Sequence, residues 1–446
     1  SIEKNLKFFN ELSLSESDTK KSKRIIDEIV SRLTFLRDVG LSYLTLNRKS
    51  NTLSGGETQR INLATSLGSA LVGSIYVLDE PSVGLHPEDT TRLIKILKNL
   101  KELGNSVLVV EHDEDIIRAA DEIIDLGPGA GSQGGNVIAQ GSINKLLNSD
   151  SLTVDYLTQN NLIEIPSLRR KSSNKIKLKG CRENNLKNIN VDIPLNSLVC
   201  ITGISGSGKT TLVKKILYPS LLKEKGIFKE KPGEFDNLSG NLESITSIEY
   251  IDQNPIGTSS RSNPATYIKA YDDIRTLFSN QKSSKQFNLK PKHFSFNVDG
   301  GRCDECKGEG EIKIEMQFMS DIRLKCEACK GKKFKKTVLQ VKYMDKNIDD
   351  ILNMTIDNAY DFFLNNNQTK ISNKLKCLID VGMGYVNLGQ SSSTLSGGEA
   401  QRIKLASFLL KGKNKESTLF IFDEPTTGLH FHDIKKLIKS FNFLID

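Results

Sequence analysis

A glycine-rich segment, GISGSGKT at residues 203–210, has the residue types and spacing of a loop that binds phosphate groups. Glycine leaves backbone N–H groups open to close approach, so such a loop can surround an anion. We expect Lys209 to contact the β- and γ-phosphates of a nucleotide and Thr210 to ligate Mg²⁺. The predicted phosphate-binding residues are Gly203, Ser205, Gly206, Ser207, Gly208, Lys209, Thr210 and Thr211. An apolar run at Leu198–Ile201 predicts a strand before the loop, and a helix should follow it.

A ten-residue phrase occurs twice, as NTLSGGETQR at 51–60 and as STLSGGEAQR at 393–402. Serine followed three residues later by glutamate is a capping box, so a helix should begin in each phrase. Glycine in the first helical turn costs up to about 1 kcal/mol relative to alanine, which a helix start alone does not require. Bare backbone at a helix N-terminus favours a bound anion. The predicted phosphate ligands are Ser54, Gly55 and Gly56 in the first copy and Ser396, Gly397 and Gly398 in the second.

The similarity continues on both sides of the phrase, so the chain should contain two homologous domains. Two apolar runs, Ile75–Glu80 and Leu419–Glu424, end in Asp-Glu and predict buried parallel strands that lead into a ligand crevice. The aspartates suit Mg²⁺, and the glutamates could orient or deprotonate an attacking water. The residues with these roles are Asp79 and Asp423, and Glu80 and Glu424.

A further apolar run, Val107–Val110, leads to Glu111 and His112. A histidine at the end of a strand beside the acidic pair could take part in catalysis. A purely structural histidine is the alternative for His112.

Two Cys-x2-Cys pairs are separated by 19 residues, and each is followed by a glycine after one further residue. This spacing is typical of a structural zinc site, and four unrelated thiols are the alternative. The predicted ligands are Cys303, Cys306, Cys326 and Cys329. Alternating apolar residues from Ile312 to Phe318 predict a hairpin between the pairs, with its turn near Ser320 and Asp321. Cys181, Cys200 and Cys377 are predicted to be packing residues.

The 446 residues carry a formal net charge of +8, which permits a polyanionic partner without requiring one. Lys and Arg also exceed Asp and Glu around the cysteines, including KGKKFKK at 330–336, which favours phosphate contacts with DNA over a merely solvated lysine-rich turn. The sequence has no apolar run long enough to span a membrane and no secretion signal at its start, so we expect a cytoplasmic protein without a membrane partner.

The phosphate loop, the SGGE helix starts, the apolar-Asp-Glu strands and the histidine after a strand together resemble the ATP-binding cassette (ABC) superfamily. The resemblance implies that two such domains dock head to tail. ATP then lies between the phosphate loop of one domain and the signature glycines of the other. The alternative within this superfamily is the ATPase component of a transporter, and a non-catalytic zinc-ribbon adaptor is a second alternative.

Four longer phrases are similar to the UvrA family, the damage-sensing component of the bacterial UvrABC excinuclease: CRENNLKNINVDIPL, IDQNPIG with RSNPATY, the cysteine segment, and DLGPGAGSQGG. The family implies ATP-gated binding of damaged double-stranded DNA, a homodimer, and loading of the helicase-like excinuclease component UvrB without nuclease activity of its own. It also implies that Gln253 contacts Mg²⁺ and the attacking water, and that the cysteine hairpin senses damage. Thr258, Pro87 and Glu88 depart from the basic residues that are common in the family.

The predicted fold is α/β, with two phosphate-loop ATPase domains of ABC type, one of them partial, and an inserted zinc-ribbon module. Residues 1–163 should be the C-terminal part of the first domain, 164–175 a linker, and 176–446 a second domain truncated at its C-terminus. The insertion should cover about 219–375, with the zinc module at 300–340. We expect a fragment cut at both ends, with one composite site: Gly203–Thr211, Gln253, Asp423 and Glu424, closed by Ser54–Gly56. Each chain should then bind at most one ATP, because its sequence contains one phosphate loop.

Overall fold

The computed structural model describes residues 1–446 except 51–52, 54, 68–71, 130, 132–133, 148, 150, 159–162, 205, 258, 260, 315–321 and 412–416. The predictions for Ser54, Ser205 and Thr258, and for the turn of the cysteine hairpin, therefore lie outside the described residues. The chain divides into two compact units. The first comprises Ser1–Leu126, Val137–Glu243 and Thr427–Phe431, and the second comprises Gly127–Asn136, Ser244–Thr426 and His432–Asp446.

The first unit combines a helical core with short sheets. Its helices are α1 (Ile2–Asn10), α2 (Glu16–Leu36), α3 (Gly55–Leu67), α4 (Pro87–Glu102), α5 (Glu114–Ala119), α6 (Ile143–Leu146), α7 (Leu152–Leu157) and α8 (Tyr218–Glu224). Its strands are β1 (Ile75–Asp79), β2 (Ser106–Val110), β3 (Ile123–Gly127), β4 (Asn136–Gly141), β5 (Lys175–Cys181), β6 (Ile189–Pro194) and β7 (Asn237–Gly240). Strands β1 and β2 are parallel, and β5 pairs antiparallel with β6 and β7.

Helix α2 shows how sequence sets an element in this unit. Ser15 caps it by accepting a hydrogen bond from the N–H of Asp18, and Glu16 and Asp18 place negative charge in the first turn. The second half of the helix, Arg24–Leu36, is amphipathic. Leu33 is buried there in a core with Leu41, Leu63 and Leu93.

The second unit contains nearly all of the remaining elements. Its helices are α9 (Pro264–Tyr267), α10 (Ala270–Ser279), α11 (Lys282–Gln286), α12 (Lys336–Leu339), α13 (Ile348–Leu352), α14 (Ile356–Asn365), α15 (Thr369–Asp380), α16 (Gly397–Lys411) and α17 (Phe431–Ile445). Its strands are β8 (Ser247–Ile251), β9 (Glu311–Ile314), β10 (Ile322–Lys325) and β11 (Thr418–Phe422). Strand β11 runs parallel to β8, and β9 and β10 form an antiparallel hairpin. The buried rings of Phe278, Phe294, Phe296, Phe334 and Phe363 fill the core.

Three predictions about burial and pairing are wrong. Residues Leu198–Ile201 are all described and form no strand, because an apolar run needs a paired neighbour to become a strand. Leu198 is 54% exposed. Strand β1 is parallel to β2 as predicted but is not buried, since Ile75 and Val77 are 75% and 65% exposed. Cys200, predicted to pack in a core, is exposed. Within the described ranges, no helix has both the length and the apolar character needed to cross a bilayer.

Candidate nucleotide sites and metal centre

The glycine-rich loop of the first unit has backbone that a side chain would strain. Gly203, Gly206 and Gly208 have φ angles of 149°, 76° and 106°, in the region that L-residues rarely adopt. Helical structure begins at Lys209 and continues through a π-helical segment, Thr211–Leu217, into α8. The loop-to-helix arrangement is therefore present, although the predicted strand before it is not.

Lys209 lies folded onto its own loop. Its Nζ donates to the carbonyl oxygens of Gly203 at 2.6 Å and Ile204 at 3.0 Å. An ammonium group held by neutral carbonyls can exchange them for phosphate oxygens, which carry more negative charge. The position suits the phosphate-binding role predicted for Lys209.

Two asparagines that the sequence analysis did not single out support this loop. Asn185 donates its side-chain amide to the carbonyl oxygen of Gly206 at 2.8 Å, and Asn184 donates to the hydroxyl of Thr211 at 3.3 Å. A Cβ on Gly208 would lie 2.8 Å from a methyl group of Leu186, so this segment also packs closely against the loop. Both asparagines lie in the phrase CRENNLKNINVDIPL, which indicated the family resemblance but not a contact with the phosphate loop.

Both repeated phrases begin a helix at the predicted glycine, in α3 and in α16. In the second copy the capping box is complete. The N–H of Ser396 donates to Glu399 at 2.8 Å, and the N–H of Glu399 donates to the hydroxyl of Ser396 at 3.2 Å. The N–H groups of Gly397 and Gly398 occupy the first turn, where an intrahelical acceptor is missing. In the first copy, Gly55 and Gly56 hold the corresponding positions.

A tyrosine holds the glutamate of each phrase. The hydroxyl of Tyr43 donates to Glu57 at 2.6 Å, and the hydroxyl of Tyr385 donates to Glu399 at 2.6 Å. The guanidinium of Arg48 lies 3.8 Å from the buried carboxylate of Glu57. These tyrosines were missed because each lies fourteen residues before its glutamate, outside any local motif.

The acidic pairs follow parallel strands as predicted. Glu80 and Glu424 have φ angles of 45° and 46°, so the same left-handed backbone turns each glutamate away from its strand. In the second unit, Tyr250 donates its hydroxyl to Asp423 at 2.9 Å, and the amide of Gln253 donates to the backbone carbonyl of Glu424 at 3.2 Å. Gln253 is thus brought beside the acidic pair.

His112 lies beside Glu80 in the first unit. Its Nε2 is 3.7 Å from the Glu80 carboxylate. Burial raises the pKa of Glu80, although the nearby His112 acts in the opposite direction. The carboxylate of Glu111 accepts backbone hydrogen bonds from Ser82, His112 and Asp113, at 2.7, 2.9 and 3.2 Å. Glu111 therefore fixes the backbone that carries the histidine.

Part of the second repeat joins this cluster. A Cβ on Gly428 would lie 3.0 Å from the carboxylate of Glu80, and the rings of His112 and His430 are 6.5 Å apart. Thr153 lies 3.3 Å from Nε2 of His430 and donates to Asp125 at 3.0 Å. The first unit thus surrounds Glu80 with residues from both repeats.

The four predicted metal ligands form one buried cluster in the second unit. Their sulfur atoms all lie within 4.8 Å of one another. The Sγ atoms of Cys303 and Cys326 are 4.0 Å apart, and those of Cys306 and Cys329 are 3.6 Å apart. Four thiolates around Zn²⁺, with bonds of about 2.3 Å, have sulfur atoms about 3.8 Å apart. The cluster therefore fits tetrahedral zinc.

The surroundings of the cluster determine how readily its thiols ionise. Burial raises the pKa of Cys306 and raises that of Cys329 to about 12, whereas a backbone hydrogen bond from Cys329 lowers the pKa of Cys326. Thiols with a raised pKa stay neutral unless a metal stabilises their thiolates. A bound Zn²⁺ would supply structural cross-linking at the base of the β9–β10 hairpin.

The predicted composite site is divided between the two units. The phosphate loop and the first-copy helix start belong to the first unit, and Gln253, Asp423 and Glu424 belong to the second. The assembly of these residues around one nucleotide stays a prediction.

Residues 46–117 match a family model described as "AAA domain, putative AbiEii toxin, Type IV TA system". The chain is 54% identical over 448 residues to UvrABC system protein A of Clostridium tetani and 51% identical over 448 residues to that of Staphylococcus epidermidis, covering 47% of each. The crystal structure of UvrA2 from Deinococcus radiodurans matches with a TM-score of 0.91 at 40% identity. That match covers 100% of this chain and 54% of the other.

The chain spans about half the length of the curated relatives it matches. Its two copies of the ABC signature, its acidic strands and its four-cysteine cluster all lie within the matched length. Over its whole length the chain is thus similar to UvrABC system protein A, with an ABC-type ATPase fold and an inserted four-cysteine module.

Proposed function

We propose that this chain supplies ATP-dependent recognition of damaged double-stranded DNA in nucleotide excision repair. The observation that carries the proposal is its 54% identity, over its whole length, to UvrABC system protein A. In the full-length protein we infer a cytoplasmic homodimer that loads the helicase-like component UvrB and cuts no DNA itself. The cofactors are ATP, Mg²⁺ and a structural Zn²⁺.

In this function the phosphate loop binds the nucleotide. Lys209 leaves the carbonyls of its loop and contacts the β- and γ-phosphates, while Thr210 and Asp423 ligate Mg²⁺. Glu424 orients or deprotonates the attacking water, and Gln253 contacts the metal and that water. Ser54, Gly55 and Gly56 complete the site through the N–H groups of a helix start.

The other predicted site residues belong to a second nucleotide position, for which this sequence contains no phosphate loop. Asp79 and Glu80 take the metal-binding and water-orienting roles there, and His112 stabilises the glutamate and the transferred phosphoryl group. Ser396, Gly397 and Gly398 face that second nucleotide position. The 3.7 Å separation of His112 and Glu80 supports this assignment.

Charge around the cysteine cluster supports contact with DNA. Lys313, Arg323 and Lys325 are exposed on the β9–β10 hairpin, and Lys330 and Lys332 are exposed beside it. Such cations neutralise phosphates without reading sequence, as recognition of diverse lesions requires. The exposed apolar residues of the same hairpin, Ile312 and Leu324 among them, provide surface for contact with a disturbed base stack.

Binding to damaged and undamaged duplexes, with and without ATP, tests this proposal. We expect affinity to fall steeply with salt and to show a modest preference for damage. Lys313→Glu with Lys330→Glu should weaken binding and lower the salt slope by about two, because each removed phosphate contact lowers it by about one. Lys95→Glu with Lys98→Glu makes the same charge change on exposed positions of α4 and should have little effect. Equal losses in both double variants would argue against the hairpin as the DNA surface.

The ATPase component of a membrane transporter is the rival function within the same superfamily. It accounts for the phosphate loop and the signatures but leaves the four-cysteine module unused. A zinc-ribbon adaptor accounts for the cysteines and leaves the phosphate loop unused. ATP hydrolysis stimulated by DNA in a detergent-free preparation is expected here and under neither alternative.

A further inference from the structure

Tyr43 lies between two parts of the first unit that the proposed function assigns to one nucleotide. It is half-buried in the turn that follows the π-helical segment Arg37–Leu41. Its hydroxyl donates at 2.6 Å to Glu57, which lies in the first turn of α3 directly after Gly55 and Gly56. The same carboxylate lies 3.8 Å from Arg48. The tyrosine therefore anchors the helix start that carries the first signature.

The ring of the same tyrosine packs on the phosphate loop. A Cβ added to Gly206 would lie 2.9 to 3.0 Å from three ring carbons of Tyr43, so a side chain at this position would displace the ring. Glycine at 206 is therefore favoured by this contact as well as by its φ of 76°. One side chain thus touches both the loop and the residue that orients the helix.

In the second copy, the corresponding tyrosine makes the same hydrogen bond but contacts a different glycine. Tyr385 makes the same 2.6 Å hydrogen bond, to Glu399. Its glycine neighbour, however, is Gly131, where an added Cβ would lie 3.0 Å from both the Cβ and the carbonyl oxygen of Tyr385. Gly131 belongs to the DLGPGAGSQGG phrase and not to a phosphate loop. The hydrogen bond is therefore common to both copies, and the contact with the phosphate loop is particular to Tyr43.

We propose that Tyr43 is a positioning residue for the nucleotide, because it holds the first-copy helix start in register with the phosphate loop. Tyr43 contacts Gly206 with its ring and Glu57 with its hydroxyl. It therefore holds the N–H groups of α3 in place before the phosphates bind. A pre-set donor group loses less entropy on binding than one that must be ordered. This inference rests on the proposed function of the phosphate loop.

Equilibrium dialysis with a non-hydrolysable ATP analogue and Mg²⁺ tests it, on the full chain and its Tyr43→Phe and Tyr385→Phe variants. Tyr43→Phe keeps the ring and removes the hydroxyl, and it should weaken binding about tenfold, as loss of a hydrogen bond to a charged group does. Tyr385→Phe loses the same bond and should bind within about twofold of the unchanged chain. Melting temperatures should fall in both variants, because each loses the hydroxyl contact with its glutamate, and Tyr385→Phe also loses the 3.4 Å contact with Arg402.

Equal affinities in all three proteins would overturn the positioning role while leaving the proposed nucleotide site intact. No measurable binding by the unchanged chain would overturn the proposed function, and this inference with it. Equal weakening in both variants would also overturn the inference, because it would assign the effect to general loss of stability.

A fluorescent reporter gives a second readout, since the sequence contains no tryptophan. Tyr43→Trp should change its emission as the analogue binds, at the concentrations where dialysis of the same variant shows binding. Lys209→Ala in that background should abolish the change, and Tyr385→Trp should not respond. A Tyr43→Trp protein that binds the analogue with unchanged emission would contradict contact between residue 43 and the occupied loop.

Discussion

The two copies of the repeated sequence share their local geometry and differ in burial. In each copy a tyrosine donates at 2.6 Å to the signature glutamate. The strand that follows differs, because Val77 is 65% exposed whereas Ile421, at the corresponding position, is 8% exposed. Local sequence therefore sets helix starts and side-chain anchors, whereas burial depends on neighbours that the repeated phrases do not contain.

The acidic strand ends extend this similarity. Glu80 and Glu424 share φ angles of 45° and 46°, and Gly84 and Gly428, four residues later, have 70° and 65°. A non-glycine residue in the left-handed region is uncommon and strained. The same backbone geometry therefore presents the carboxylate in both copies.

The largest expected effect is loss of the proposed zinc site, which lies in the sequence of the second copy. Cys306→Ser with Cys329→Ser should remove one tightly bound zinc per chain, because two of the four proposed ligands are lost. The effect should be large, since structural zinc contributes about 10–16 kcal/mol to the fold of its own module. Elemental analysis should show the loss, and hydrogen exchange should show faster exchange in β9 and β10. Nucleotide binding at Lys209 should be largely kept.

Removal of two other thiols is the matched control for the zinc site. Cys200→Ser with Cys377→Ser should retain the metal, because neither residue belongs to the four-cysteine cluster. Stoichiometric zinc in the Cys306 and Cys329 double variant would falsify the assignment of the ligands.

The two strained glutamates should differ in catalysis. Glu424→Gln should lower ATP turnover on the order of 100-fold, because it removes the proposed water-orienting carboxylate from the copy that has a phosphate loop. Glu80→Gln should have a much smaller effect, and both variants should keep nucleotide affinity. Steady-state turnover measured beside equilibrium binding distinguishes these effects. A larger loss in Glu80→Gln would reverse the roles assigned to the two copies.

The difference in burial predicts a difference in stability at matched positions. Ile421→Ala should lower the free energy of unfolding by about 2 kcal/mol, because it leaves a cavity in a packed environment. Val77→Ala should change it by less than about 0.5 kcal/mol, as expected for an exposed side chain. Urea denaturation of the two variants gives the comparison. Similar losses would mean that β1 is as well covered as β11.

The smallest effect concerns the predicted insertion at about 219–375. Asp273 lies 2.7 Å from Lys370 and 2.6 Å from Lys374. Burial acts to raise its pKa, but the hydrogen bonds and charges of the two lysines outweigh it and lower the pKa below the usual 3.8. The carboxylate therefore stabilises the fold above pH 3.8 and loses this contribution as the pH falls through its folded pKa.

Asp273→Asn should accordingly cost on the order of 1 kcal/mol near pH 7. The difference from the unchanged chain should shrink as the pH falls below about 4, where an unfolded carboxylate also becomes protonated. Denaturation at several pH values measures it. A difference that grows on acidification would contradict the direction of the pKa shift.

Sequence predicted the features that depend on short-range pattern. The starts of α3 and α16, the parallel strand before each acidic pair and the clustering of four cysteines all follow from spacing along the chain. The spacing of the glycine-rich segment likewise predicted the roles of the glycines at 203, 206 and 208. Their φ angles lie in the region that residues with a side chain rarely adopt.

The remaining features depend on contacts that are distant in sequence. Leu198–Ile201 reads as a strand but has no regular pairing in the described structure. Tyr43 contacts Gly206 from a distant part of the chain, and Asn185 bonds to the same glycine from another loop. Glu111 stands beside His112 in the sequence, yet its three backbone hydrogen bonds, one of them from Ser82, were not foreseeable from spacing.

Nucleotide stoichiometry tests most directly the central claim that this chain, with two signatures and one phosphate loop, binds at most one nucleotide. Equilibrium dialysis with a non-hydrolysable ATP analogue and Mg²⁺ should give at most one nucleotide per chain, and Lys209→Ala with Gly206→Asp should abolish binding. The Gly206→Asp change adds a side chain where even a Cβ would lie 2.9 Å from the ring of Tyr43. Two nucleotides per chain, or one that persists in the double variant, would contradict the claim.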